Sequence, residues 1–192
     1  SSGLKHFYDV IWRVYHALMS VGSALVITLS PFIARVLMQR QFYSAWPLIS
    51  ILVLAFYLSA INNFLGTIYQ AYMRTKPLLV ATVVGAVACL AFTAVLVHDW
   101  GISAAAFGVF VGSLAIFVIR VIDVRRLMTI NMRPIPTSIT MTLLTVQSLV
   151  TSNQCNHYLF WSSICLLLIT FVQCYELKPL ITLIFTRRKY TA

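Results

Sequence analysis

Asn62 to Lys76 reads NNFLGTIYQAYMRTK. It is the tail of a charge-free run, Gln41 to Met73, that stops abruptly on Arg74 and Lys76. A run this long can cross a bilayer, which takes about 20 apolar residues. Tyr69 and Tyr72 beside two cations match a membrane–water interface on the cytosolic side. The polar residues within the run, Asn62, Asn63 and Gln70, have no water to satisfy them in lipid, so they are expected to face protein or a wet cavity.

Composition extends this reading to the whole chain of 192 residues. Soluble domains carry about 25% charged residues. This chain carries 9%, against 60% hydrophobic, with a mean hydropathy of +0.90. The class is an all-α, polytopic transmembrane helical bundle. The net charge of +10 invites a nucleic-acid partner, but the cations cluster between apolar runs, so none is expected. Cys89, Cys155, Cys165 and Cys174 form no CxxC and no metal-ligand spacing, and read as small buried hydrophobes. His6, His16, His98 and His157 are scattered, with no metal or catalytic spacing. No catalytic residue and no cofactor is expected. The opening Ser-Ser-Gly suggests a fragment of something longer or a processed chain.

Outward from the central run, about six spans fit. Residues 1–13 read as an interfacial helix leading into span one, Val14 to Ala34, where Pro31 should kink or end the helix. Arg35 and Arg40 lie in an amphipathic connection, and span two runs from about Trp46 to Tyr72. Pro77 opens span three, Leu78 to Val97, with Gly85, Ala86, Ala88 and Ala91 as a small-residue face. Span four is Ile102 to about Ile122 and contains a GxxxG, Gly108 to Gly112. Pro134 to Tyr175 carries no charge and divides at the turn-rich 151–157 into span five, about 135–150, and span six, about 158–175. Span five is short and rich in Thr.

Six spans put alternate connections on opposite sides. The N-terminus, the 74–76 turn, residues 120–133 and the C-terminus hold 12 Lys and Arg, whereas the other side holds Arg35 and Arg40. The positive-inside rule makes the first group, and both termini, cytosolic. Topology and attraction to anionic membrane lipids then account for the high pI.

Three stretches carry a family resemblance. They are SPFIARVLMQRQFYSAWPLISILVLAFYLSAI, NNFLGTIYQAYMRTKPLL and WGISAAAFGVFVGSLAIFVIRVIDVRRL, which together cover roughly Ser30 to Leu127. In order and spacing the chain resembles the polysaccharide flippases of the multidrug/oligosaccharidyl-lipid/polysaccharide superfamily, O-antigen and exopolysaccharide exporters above all. The resemblance implies the C-terminal part of a two-lobe flippase in a bacterial inner membrane. Residues 1–127 would be the last four spans of the second lobe, and 128–192 an extra pair of spans with a basic tail. The implied cargo is a polyprenyl-pyrophosphate-linked oligosaccharide, and the implied partner is an N-terminal lobe of the same protein. Two other classes stand beside it: a membrane-embedded glycan enzyme such as a polymerase or acyltransferase, and a drug exporter of the same superfamily.

A wet groove for such a cargo needs cations for pyrophosphate and amides or phenols for sugar hydroxyls. Asn62, Asn63, Tyr69 and Gln70 are the cavity candidates, with Asn62, Tyr69 and Gln70 able to share much of one face. Hydrogen bonding between helices is the other reading of these four. Arg35, Arg40, Arg74, Lys76, Arg120 and Asp123 are candidates for gates or phosphate contacts. For Arg74 and Lys76 the alternative is anchoring. For Arg120 it is snorkelling and pairing with Asp123, three residues on.

Overall fold

A computed structural model describes residues 2–37, 46–71, 73–127, 134–152 and 157–189. They form six helices: α1 (Ser2–Leu37), α2 (Pro47–Ala71), α3 (Thr75–Trp100), α4 (Ile102–Leu127), α5 (Pro134–Ser152) and α6 (Tyr158–Lys189). Among the described residues there is no strand. Five of the helices are long and apolar enough to cross a membrane, over Phe7–Val36, Pro47–Ala71, Thr75–Trp100, Ile102–Val124 and Tyr158–Lys178. The chain is an all-α, multi-pass membrane protein. Arg40, Tyr72, Arg133 and residues 153–156, on which parts of the sequence reading fell, lie outside the described residues.

The helix that falls short of the apolarity of a span is α5, where Thr, Ser and Gln replace aliphatic residues. Its 19 residues still rise about 28 Å, and four of its polar side chains turn inward while Ser138 and Thr142 are exposed. Thr140, Gln147, Ser148 and Thr151 are buried. Near one end the Ser50 hydroxyl donates to the Ser148 carbonyl at 3.3 Å, and toward the other the Gln173 amide donates to Thr140 at 3.1 Å. So α5 runs the length of the bundle beside its neighbours, and five apolar helices plus one more polar helix stand where six apolar spans were expected.

Contacts between named residues fix the directions. His16 meets Gln173, and Thr28 meets Ser162, so α1 and α6 are antiparallel. Thr82 meets Arg120, and Gly108 packs on Cys89 and Thr93, so α3 and α4 are antiparallel. Ser59 meets Ser113 and Tyr69 meets Arg120, so α2 and α4 are parallel. The helices therefore alternate up and down. The pair α5–α6 shares one core with α1 and α2, which includes Trp12, Ile27, Tyr57, Leu65, Leu144 and Ile169.

The expected interfacial helix and span one are a single helix of 36 residues that passes through Pro31. Pro31 has no N–H for the Ile27 carbonyl, which would break or kink the helix there. The Ser30 hydroxyl takes that carbonyl instead, at 2.8 Å, so the helix continues to Leu37. The α3–α4 hairpin packs through glycine as expected. A Cβ on Gly85 would lie 2.9 Å from the Gly112 carbonyl oxygen, and one on Gly112 would lie 2.8 Å from that of Gly85. The backbones approach closely because neither residue has a side chain. Of the other small residues, Ala86 and Ala91 face outward.

Candidate functional site

The organising helix is α2, most of whose residues are buried by α1, α4 and α5. At about 100° per residue, Asn62 and Tyr69 fall close together while Asn63 and Gln70 fall on a different face. Asn62 and Tyr69 point into the bundle. The Asn62 amide donates to the Ser113 carbonyl at 2.9 Å, beside the Ser59–Ser113 hydroxyl pair at 3.1 Å. The Tyr69 hydroxyl donates to the Arg120 carbonyl at 3.4 Å. These two candidates lock α2 to α4, which corrects the expectation that Asn62, Tyr69 and Gln70 share a face toward a cavity.

Arg120 belongs to the same cluster. It neither snorkels nor pairs with Asp123. Its side chain is buried, with one terminal nitrogen donating to the Asn62 carbonyl and the other to the Thr82 hydroxyl at 3.1 Å. Asp123 instead neighbours the Tyr69 hydroxyl. The guanidinium is drawn inward because the α2–α3–α4 junction offers oxygen acceptors where lipid offers none. The Arg120 Nε and Asn62 Oδ1 atoms in this junction have no protein partner.

The exposed residues of α2 are Phe56, Asn63, Thr67, Gln70 and Ala71. Asn63, Thr67 and Gln70 recur at intervals of four and three, so they form one stripe. Asn63 and Gln70 are the only exposed side-chain amides among the described residues. The exposed positions of α4, by contrast, are Ile102, Ala105, Val109, Leu114, Val118 and Ile122. The open face lies between the sides of α2 that hold α1, through Tyr15 on the Ala60 carbonyl, and α4, through Ser113. It runs toward Arg74 and Lys76, both exposed.

The turn between them is a helix-ending motif. The Arg74 N–H donates to the Tyr69 carbonyl at 2.9 Å, and the Met73 N–H to that of Gln70 at 3.0 Å. Met73 adopts φ 55°, the left-handed conformation that glycine usually supplies at this position. Arg35 is exposed at the opposite end of the bundle, remote from the stripe.

Two buried polar clusters were not singled out in the sequence. The Gln147 amide of α5 donates to the Ala24 carbonyl and the Thr28 hydroxyl, both at 3.0 Å, and to the Ser162 hydroxyl at 3.0 Å. His16 lies between the Tyr57 hydroxyl at 3.0 Å and the Gln173 amide at 3.3 Å. The signal that flagged Asn62, an amide inside a charge-free run, applies equally to Gln147 and Gln173. His16 is the titratable imidazole within the charge-free run of span one. Of the cysteines, Cys165 is buried as expected but Cys174 is exposed. Among the described residues no three His, Cys, Asp or Glu side chains gather as a metal site.

The fold and this surface define a multi-pass helical membrane protein with an open helix face that bears amides. No family model, curated protein or solved structure matches the chain.

Proposed function

We propose that the chain is part of an inner-membrane flippase that moves lipid-linked oligosaccharide or polysaccharide repeat units from the cytosolic to the outer face by alternating access. One observation carries this reading: the helix most buried within the bundle is also the one whose exposed face bears amides. Lipid gives Asn63 and Gln70 no hydrogen-bond partner, whereas a water-filled groove or a sugar does. Facing lobes of one protein would enclose such a groove, with this chain supplying the wall formed by α1, α2 and α4. The three-stretch resemblance, one stretch of which holds these same amides, points to the same class.

In this reading Asn63, Thr67 and Gln70 contact sugar hydroxyls, and Arg74 and Lys76 meet the pyrophosphate at the cytosolic mouth. Asn62, Tyr69 and Arg120 hold the wall together. The cation-rich end, with both termini of the segment, faces the cytosol of a bacterium. The test is deletion of the gene in its host, followed by extraction of isoprenoid-linked glycans. A complete repeat unit should accumulate on the cytosolic face. The gene carrying both Asn63→Leu and Gln70→Leu should fail to relieve this although the protein reaches normal abundance. A complete unit that reaches the outer face but stays unpolymerised or unmodified would overturn the proposal in favour of a glycan enzyme.

A further inference from the structure

A small cleft opens between α1, α5 and α6, lined by Trp12, Arg13, His16, Thr137, Gln173 and Glu176. It has room for a water molecule and not for a sugar. It lies toward the end of the bundle that carries Arg13 and Lys178. His16 is at its inner wall, 5% exposed, and is held by two other helices, through Tyr57 of α2 and Gln173 of α6. The hydrogen bonds around it assign its protons. Thr140 gives its one hydroxyl hydrogen to the Pro136 carbonyl at 2.9 Å, so it accepts from the Gln173 nitrogen at 3.1 Å. The second hydrogen of that nitrogen points at His16 Nδ1 at 3.3 Å. Nδ1 therefore carries the lone pair, and Nε2 carries the hydrogen, which it donates to the Tyr57 oxygen at 3.0 Å.

We propose that His16 is a proton-binding site, loaded at Nδ1 by water in this cleft, and that the bound proton breaks the Gln173 bridge from α1 to α5. A hydronium gives its proton to the Nδ1 lone pair and leaves as water. Two donors then face each other, Nδ1–H and the Gln173 nitrogen. The amide turns to present its carbonyl oxygen, which withdraws its N–H from Thr140. One proton thus changes how three helices are joined. The charged and titratable groups around the ring are assigned by element. Asp9 and Arg13 precede His16 on the same face of α1, Tyr57 comes from α2, and Glu176 from α6. Thr137 and Thr140 of α5 carry no charge. Glu176 is the acid that acts on the imidazole, so it stabilises the imidazolium that Arg13 opposes. Of the three buried polar clusters, this one holds an imidazole, a side chain with a lone pair that can take up a proton, whereas an arginine stays protonated. The inference holds whatever the bundle carries.

The test uses the full chain in lipid nanodiscs with nitrogen-labelled histidine and with His6, His98 and His157 changed to Gln, so that His16 alone reports. The ring should be the Nε2–H tautomer at high pH and gain a proton reversibly between about pH 4 and 8. Glu176→Gln should move the midpoint down by about half a unit or more, and Arg13→Gln should move it up. Amide hydrogen exchange in α5 should rise below the midpoint. A ring that stays neutral throughout, or a midpoint unmoved by both substitutions, would overturn the site. Unchanged α5 exchange across a genuine titration would overturn the bridge mechanism.

Discussion

Asn62 and Asn63 are neighbours in sequence with opposite environments. The first is 4% exposed and spends its amide on the Ser113 carbonyl. The second is exposed and makes no hydrogen bond to another described side chain. Replacement by leucine should separate them. Asn62→Leu removes a link between α2 and α4 and should cost about 0.5–2 kcal/mol, the usual worth of such a bond between membrane helices. Asn63→Leu should leave stability unchanged or slightly raised, because the exposed amide joins no helix to another. Reversible unfolding in bicelles reads both. The sequence already marked the pair as polar groups inside an apolar run. The spacing argument placed Asn62 with Tyr69 and Gln70 and left Asn63 aside, whereas Asn63 shares the open stripe with Gln70, because helical spacing orders residues around a helix without saying which side the neighbours occupy. The same gap explains Arg120. Its depth was readable from its distance to Arg125, but the oxygen acceptors that draw it inward come from α2 and α3, far away in sequence.

Helices were more legible than side chains. Helices α2 to α5 lie close to where the apolar runs and the Pro, Gly and Asn punctuation put them, whereas α1 begins at Ser2 and α6 runs on past residue 175 to Lys189. Pro31 does not end α1, which runs through it to Leu37 with the Ser30 hydroxyl on the Ile27 carbonyl, a local bond that an averaged propensity overlooks. The threonines that keep α5 from reading as an apolar span bond to their own turns, as Thr145 does to the Met141 carbonyl at 2.8 Å, while Gln147 bonds across to α1 and α6. The small-residue face of α3 and α4 was legible as a pattern, and the structure identifies the glycines that matter. Gly85→Ala would place a methyl against the Gly112 backbone and should destabilise the hairpin by about 1–3 kcal/mol. Gly22→Ala has nothing within 4 Å of the new methyl and sits in mid-helix, so it should be neutral or stabilising by up to about 1 kcal/mol. Thermal unfolding of the two variants in one detergent gives the comparison.

At the scale of the molecule, alternation of the helices ties every connection to a side. In α3, 11% of the most apolar window is buried, against 56% in α2, so α3 is the outer helix of the two. An outer apolar helix with Lys76 at one end and Asp99 at the other is a direct reporter of orientation. Each cation near an anionic membrane surface is worth about 1 kcal/mol. The 12 Lys and Arg on one side against two on the other therefore outweigh any single local preference. One helix more or fewer before residue 120 would have mixed the two groups, so the charge split and the alternating packing support each other. In a cysteine-free background, Asp99→Cys should react with a membrane-impermeant maleimide on intact cells, and Lys76→Cys only after permeabilisation. The reverse pattern would invert the molecule and put Arg74 and Lys76 at the outer mouth of the groove, where they could not receive a pyrophosphate from the cytosol. Labelling of both positions from one side would mean that α3 does not cross, and the open face of α2 would then need a partner other than a transport cavity.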